Sequence, residues 1–77
     1  MFELNRVPVK SSDLHSVGYD PESQTLEIEF LSGGVYRYSE VPESVYRSLL
    51  SASSHGKYFH EYIEGKYSYL RIKKVSL

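Results

Sequence analysis

The stretch that most constrains the fold is residues 24–41, which have the pattern of two strands joined by a glycine turn. Residues 24–31, QTLEIEFL, alternate apolar with acidic side chains, and this period of two is typical of a half-buried strand. Residues 32–34, SGG, favour a tight hairpin because glycine adopts positive φ without a steric penalty. The β-branched and aromatic residues of VYRYSEV (35–41) suit the returning strand.

Tyr36 and Tyr38 lie two residues apart, so both side chains point to one face of the returning strand. The face depends on the hairpin register, since a shift of one residue reverses every side chain. A loop of residues 32–33 places Tyr36 opposite a glutamate, whereas a loop of residues 32–34 places it opposite Phe30 on the apolar face. We favour the apolar face, because a chain of 77 residues has a thin core that needs aromatic side chains to fill it.

The other segments predict a small α+β domain. Pro42 and Glu43 favour the start of one helix, and Ser53 or Ser54 can cap a second helix that ends near Gly65. We expect a small antiparallel sheet of three or four strands followed by two short helices packed on one face. The predicted elements are an extended lead-in at 1–10, strands at 14–20, 24–31 and 35–41, helices at 42–52 and 53–65, and a strand or extended segment at 66–75.

Size and composition exclude several classes of protein. We expect one domain at residues 11–72 and a short basic tail at residues 73–77. The sequence has no cysteine, which excludes disulfides, thiolate metal sites and cysteine redox chemistry. No apolar run approaches the roughly 20 residues that a membrane span requires, and the N-terminus has no signal-peptide pattern. We therefore expect a cytoplasmic protein without a membrane partner.

The net charge of −1 conceals an uneven distribution along the chain. Residues 1–56 carry four basic side chains against eight acidic ones, a net of −4. Residues 57–77 carry five basic side chains against two acidic ones, a net of +3. A polyanion would therefore meet the C-terminal third of the chain first.

The basic C-terminal segment also contains tyrosines. If it is a strand, Tyr67, Tyr69, Arg71 and Lys73 share one face. Single-strand nucleic-acid binders combine rings and cations in this way, with stacking for the bases and charge for the backbone. The alternative is that the tyrosines pad the sheet while the lysines solvate a tail.

Histidines and carboxylates predict neither a catalytic nor a metal site. His15, His55 and His60 are scattered, and no pair has the spacing of two ligands on one helical turn. Glu27 and Glu29 share a strand face, whereas glycosidase chemistry needs two carboxyl groups across a cleft. We therefore expect no enzyme activity, no metal and no cofactor.

Four segments in order carry a family resemblance: VGYD, TLEIEFLSGGVYRY, VPESVYRSLLSASSHGKYFHEYI and KYSYLRI. Together they resemble the KTSC domain, a short bacterial and phage module that occurs alone or at the C-terminus of some lysyl-tRNA synthetases. Its hallmark is a central Tyr-x-Tyr, here Tyr36 and Tyr38, and the resemblance runs from about Ser12 to Ile72. It implies an accessory domain without established activity, for which RNA binding has been suggested, and it supplies no catalytic residues.

We expect a non-catalytic accessory domain that binds RNA or tRNA weakly. The alternative is a module for protein interaction or self-association through an exposed sheet edge. Lys57 is a candidate because backbone N–H groups at a helix start favour anions, although capping is the favoured role of the preceding serines. The candidate nucleic-acid-binding residues are Tyr36, Arg37, Tyr38, Lys57, Lys66, Tyr67, Tyr69, Arg71, Lys73 and Lys74.

Overall fold

A computed structural model describes residues 4–73, in which an antiparallel sheet of five strands packs against two helices. The strands lie in chain order across the sheet, and the two helices connect the fourth strand to the fifth. The elements are β1 (Val7–Pro8), β2 (Leu14–Asp20), β3 (Thr25–Phe30), β4 (Val35–Tyr38), α1 (Glu43–Ser51), α2 (His55–Tyr62) and β5 (Tyr69–Lys73). The predicted α+β class, with both helices on one face, is confirmed.

The number of strands differs from the prediction of three or four. The additional strand is β1, which lies within the predicted lead-in and pairs Val7 with Val17 and Pro8 with Ser16. A strand of two residues has no periodicity to read, and an edge strand tolerates proline because one side of its backbone needs no partner. The C-terminal segment is also part of the sheet, since β5 pairs with β4 along its length.

The hairpin of β3 and β4 adopts a register that neither predicted loop produces. Tyr36 lies opposite Ile28, and Tyr38 lies opposite Leu26. This register differs by two residues from that of the predicted three-residue loop, and a shift of two preserves the face. The predicted apolar face of the tyrosines is therefore correct, whereas their predicted strand partners are wrong.

The turn of this hairpin explains the difference. Residues 31–33 form the turn, so that it begins one residue earlier than the predicted loop. The Phe30 N–H donates to the Gly34 carbonyl at 2.9 Å, which places Gly34 in the ladder instead of the turn. Gly33 takes the positive φ of 104° that closes the turn.

The core lies between the sheet and the helices. Tyr19 and Tyr46 pack against this core with their rings stacked and the ring centroids 4.9 Å apart. The Tyr19 hydroxyl donates to the Val41 carbonyl. Neither helix within residues 4–73 has the length and apolar character to cross a membrane. The buried core residues are Leu14, Val17, Leu26, Ile28, Tyr38, Val41, Leu49, Phe59 and Ile63.

The two helices begin close to their predicted positions. Pro42 is the N-cap of α1, so the helix begins at Glu43, one residue after the predicted first helical position. The Ser54 hydroxyl caps α2 by accepting the Lys57 N–H at 3.2 Å, which confirms the capping prediction. Gly65 has φ of 78° and lies in the turn that leads from α2 toward β5.

Candidate nucleic-acid interface

The strands β4 and β5 place three tyrosines on one face, and we call Tyr36, Tyr38 and Tyr69 the aromatic row. Tyr38 lies opposite Tyr69, and Tyr36 lies opposite Arg71. The Tyr69 ring centroid is 5.5 Å from that of Tyr36 and 5.5 Å from that of Tyr38. The row passes from the core to solvent, since Tyr38 is 4% exposed, Tyr36 is half-buried and Tyr69 is 57% exposed.

Two phenylalanines hold the inner rings of the row in place. Phe30 meets Tyr36 edge to face at 5.5 Å, and Phe59 meets Tyr38 in the same way at 5.7 Å. Phe30 and Phe59 also contact each other, at 5.3 Å. Edge-to-face pairs stabilise by about 0.5–1.5 kcal/mol beyond the area that they bury. The row is therefore a fixed surface whose outer member alone is mostly exposed.

A pocket of about 340 Å³ opens beside the aromatic row. It lies between the tyrosine-bearing face of the sheet and the C-terminal half of α2. Five aromatic rings and two carboxylates line it, which gives apolar walls and an acidic rim. The lining residues are Asp13, Phe30, Ser32, Tyr36, Tyr38, Phe59, His60, Glu64, Gly65 and Tyr69.

His60 bridges the two carboxylates at the rim of the pocket. Its Nε2 lies 2.8 Å from Asp13 Oδ2, and its Nδ1 lies 2.7 Å from Glu64 Oε1. These hydrogen bonds, first that of Glu64 and then that of Asp13, raise the pKa of His60. The Ser11 hydroxyl orients Asp13 by accepting its N–H at 3.1 Å. With both ring nitrogens bonded to carboxylates, the imidazole has no nitrogen available to act as a general base.

Burial and nearby charge also shift the pKa of Tyr38, whose hydroxyl lies near this rim. Desolvation raises the pKa of Tyr38, and the negative charge of Glu64 raises it further. The hydroxyl therefore stays protonated and retains its hydrogen as a donor.

Arg37 lies on the opposite face of the sheet from its two tyrosine neighbours. Its Nε donates to Glu27 Oε1 at 2.7 Å, and Arg6 donates to the other oxygen of the same carboxylate. Glu27 is 2% exposed, so the acidic face of β3 is covered at this residue, although the alternating pattern is typical of a half-buried strand. A hydrogen bond from Ser16 lowers the pKa of Glu29 on the same face, and the charge of Arg6 lowers it further.

The N-terminal segment explains the burial of Glu27. A Cβ at Gly18 would lie 2.8 Å from the Asn5 carbonyl oxygen and 3.1 Å from Arg6 Cγ, so this segment runs directly over the middle of β2. Gly18 pairs with Glu27 in the ladder, and the passing chain covers the carboxylate as well. The sequence pattern of β3 alone contains no signal for this cover.

The other predicted site residues are dispersed. Tyr67 precedes β5 and packs, half-buried, against the core, so it is not in the strand with Tyr69 as predicted. Lys66 is exposed in the turn before β5, and Lys57 is exposed on α2 beside a second pocket of about 160 Å³. Lys73 pairs with Val35 at the end of β5. The prediction for Lys74 lies outside the described residues.

The structure therefore brings together Tyr36, Tyr38, Tyr69 and Arg71, and it adds residues that the sequence did not indicate. His60 and Glu64 are four residues apart within the predicted helix at 53–65, a spacing that could have predicted their contact, although α2 ends at Tyr62 and Glu64 lies in the turn after it. Asp13 joins them across 47 positions of the chain, for which no local pattern exists. Within residues 4–73, no group of three or more His, Asp or Glu side chains is placed to hold a metal ion.

Fold and site define a small α+β domain with a Tyr-x-Tyr strand in an antiparallel sheet. The KTSC domain family matches residues 10–67, so the chain belongs to the KTSC domain family. This confirms the resemblance carried by Tyr36 and Tyr38.

Relatives occur as small proteins and within larger enzymes. An uncharacterized protein of Stutzerimonas stutzeri is 49% identical over 70 residues, which cover 90% of this chain and 99% of that protein. A lysine–tRNA ligase of Nostoc sp. is 42% identical over 60 residues, which are 78% of this chain but only 11% of the ligase. The crystal structure of a KTSC domain protein from Yersinia pestis matches with a TM-score of 0.89 at 41% identity, covering 92% of this chain and 100% of that chain.

Proposed function

We propose that this protein is a non-catalytic domain that binds single-stranded RNA weakly through the aromatic row and Arg71. The observation that carries the proposal is Tyr69, a ring 57% exposed on the edge strand and braced by two tyrosines. Its braced position keeps a stacking surface in place before a ligand arrives. Stacking of a base on such a ring contributes about 1–3 kcal/mol and tolerates any base.

Cations next to the ring supply the contact to phosphate. Arg71 lies two residues after Tyr69 on β5, so both side chains are on the same face of the sheet. Its side chain is exposed, and it forms no ion pair within the described residues. Lys66 is exposed in the turn before the strand. Charges placed in this way hold a backbone while the rings stack on its bases.

Two further observations support this function. Both nitrogens of His60 are bonded to carboxylates, which argues against an acid–base role for the one histidine in the pocket. Relatives of the chain form part of lysine–tRNA ligases, enzymes whose name states a tRNA substrate. A domain joined to such an enzyme meets RNA as part of its normal environment.

Fluorescence anisotropy with a labelled single-stranded RNA tests the proposal. Tyr69→Ala should weaken binding about tenfold, since a tenfold change corresponds to about 1.4 kcal/mol and lies within the range for one stacked base. Tyr62→Ala is the matched control, because Tyr62 is 53% exposed on α2, outside the aromatic row. Equal losses for the two variants, or binding that is unchanged between low and high salt, would contradict the proposal.

A second candidate function is self-association through β5. This strand is the last in the sheet among the described residues, and it exposes 72% of Leu70 and 43% of Ile72. An apolar edge strand favours antiparallel pairing with the same strand of a second copy. Light scattering across a concentration series should then show dimers that Leu70→Lys abolishes. A monomer at every concentration would exclude this candidate.

A further inference from the structure

We infer that the pocket beside the aromatic row receives one unstacked nucleobase and prefers guanine. This inference rests on the proposed function, because it assigns a specific base to the same RNA-binding surface. Tyr69 and residues at the end of α2 both line the cavity of about 340 Å³, so a nucleotide stacked on Tyr69 lies beside it. Single-stranded RNA is commonly read in this way, by bases splayed out against aromatic side chains.

The walls of the pocket suit the faces of a base. Tyr36 and Tyr69 present tilted rings 5.5 Å apart, and Phe30 meets Tyr36 edge to face. Phe59 closes the inner end, in contact with Tyr38. An unstacked base loses contact with its neighbours, and these rings replace that contact.

The rim of the pocket selects for hydrogen-bond donors. Asp13 and Glu64 are acceptors, and each contacts His60 through only one carboxylate oxygen. Guanine presents two adjacent donors on its Watson–Crick edge, N1–H and the N2 amino group, and each carboxylate has one oxygen outside its contact with His60 that can accept one of them. Uracil presents one N–H between two carbonyl oxygens, which the carboxylates would repel.

The charge of the rim also keeps the ligand in one orientation. Two carboxylates flank one imidazole, so the rim is acidic, and this disfavours phosphate inside the pocket. Arg71 lies opposite Tyr36 on β5 and does not line the pocket. The base therefore faces inward, while its phosphate remains beside the arginine.

Titration of the ¹⁵N-labelled protein with guanosine, inosine and uridine monophosphates tests this inference. We expect guanosine monophosphate to shift the resonances of His60, Glu64 and Tyr69 and to bind about tenfold more tightly than uridine monophosphate. Inosine monophosphate lacks the N2 amino group and should bind with intermediate affinity. Equal affinities for the three nucleotides would overturn the guanine preference.

Variants separate this inference from the proposed function. Glu64→Gln should remove the preference for guanine yet retain anisotropy binding to oligouridine, and Glu61→Gln on the exposed part of α2 is the matched control. If oligouridine binds while no mononucleotide shifts the pocket, the base pocket is wrong and the RNA surface stands. If neither RNA nor any mononucleotide binds, both are wrong. Shifts at the pocket caused by tetramethylammonium but by no nucleotide would identify an organic-cation site and overturn the inference.

Discussion

Tyr38 and Tyr69 pair across β4 and β5 with their ring centroids 5.5 Å apart, although one ring is 4% exposed and the other 57%. The contact joins the hydrophobic core to the proposed binding surface. It also divides the family's Tyr-x-Tyr motif by role, since Tyr38 belongs to the core cluster and Tyr36 packs against it half-buried. The ring that faces solvent comes from the neighbouring strand.

Truncation of the two paired rings should therefore have different effects. Tyr38→Ala should lower the free energy of unfolding by about 3–5 kcal/mol, as for other buried aromatic side chains. Tyr69→Ala should lower it by less than about 1 kcal/mol, because most of that ring is already in water. Urea denaturation measures both. Similar losses for the two variants would contradict the division between core and surface.

The buried carboxylate of Glu27 should be a main determinant of stability. It is 2% exposed between Arg6 and Arg37, and its removal deletes the buried carboxylate that both guanidinium groups share. Glu27→Ala should lower the free energy of unfolding by about 3 kcal/mol, near the lower end for a broken buried pair because the arginines are partly exposed. Glu61→Ala on α2 is the control and should change it by less than about 0.5 kcal/mol. Similar values in urea denaturation would show that the pair contributes little.

Substitutions at two glycines can test whether the N-terminal segment, at Asn5 and Arg6, packs tightly over β2. A Cβ at Gly18 would lie 2.8 Å from the Asn5 carbonyl oxygen, so Gly18→Ala should displace the N-terminal segment and destabilise the fold by about 1–3 kcal/mol. Gly56 lies in α2, and a Cβ added there would be 3.4 Å from Asp13 Cβ, an ordinary van der Waals contact. Gly56→Ala should leave stability unchanged or raise it by up to about 1 kcal/mol, because alanine favours the helix. Thermal unfolding of both variants measures the difference, and equal effects would argue against a tight crossing.

Local sequence patterns predicted the strands and helices whose apolar residues recur at a regular period. They did not predict features that depend on contacts between residues far apart in the chain. The alternation in residues 24–31 placed β3 within one residue at each end, because a half-buried strand needs that pattern. The hairpin register was wrong by two residues, since Gly34 can serve either in the turn or in the ladder. The contact of Asp13 with His60 joins the residue before β2 to α2 across 47 positions, and only the folded chain creates it.

The bridge formed by His60 should make stability depend on pH. Glu64 and Asp13 raise the pKa of His60 in the folded state, so the stabilisation is complete below the unfolded pKa of about 6.5 and is lost as pH rises through the folded value. The free energy of unfolding of the wild type should exceed that of His60→Gln at about pH 6, by less than about 1 kcal/mol because these side chains are half exposed. The difference should shrink as the pH rises through the folded pKa and the imidazole loses its proton. A difference that grows with pH would contradict the bridge.

The central claim is that RNA binds at the β4–β5 face, and a chemical-shift titration with short single-stranded RNA tests it most directly. We expect the largest shifts at Tyr36, Tyr69 and Arg71, with little change at Tyr58 and Tyr62 on α2. The charge variant Arg71→Glu should weaken binding and lower the salt slope by about 0.7 for the phosphate contact removed, whereas Lys57→Glu should change neither. Shifts confined to α2, equal effects of the two charge variants, or no shifts at all would contradict the claim.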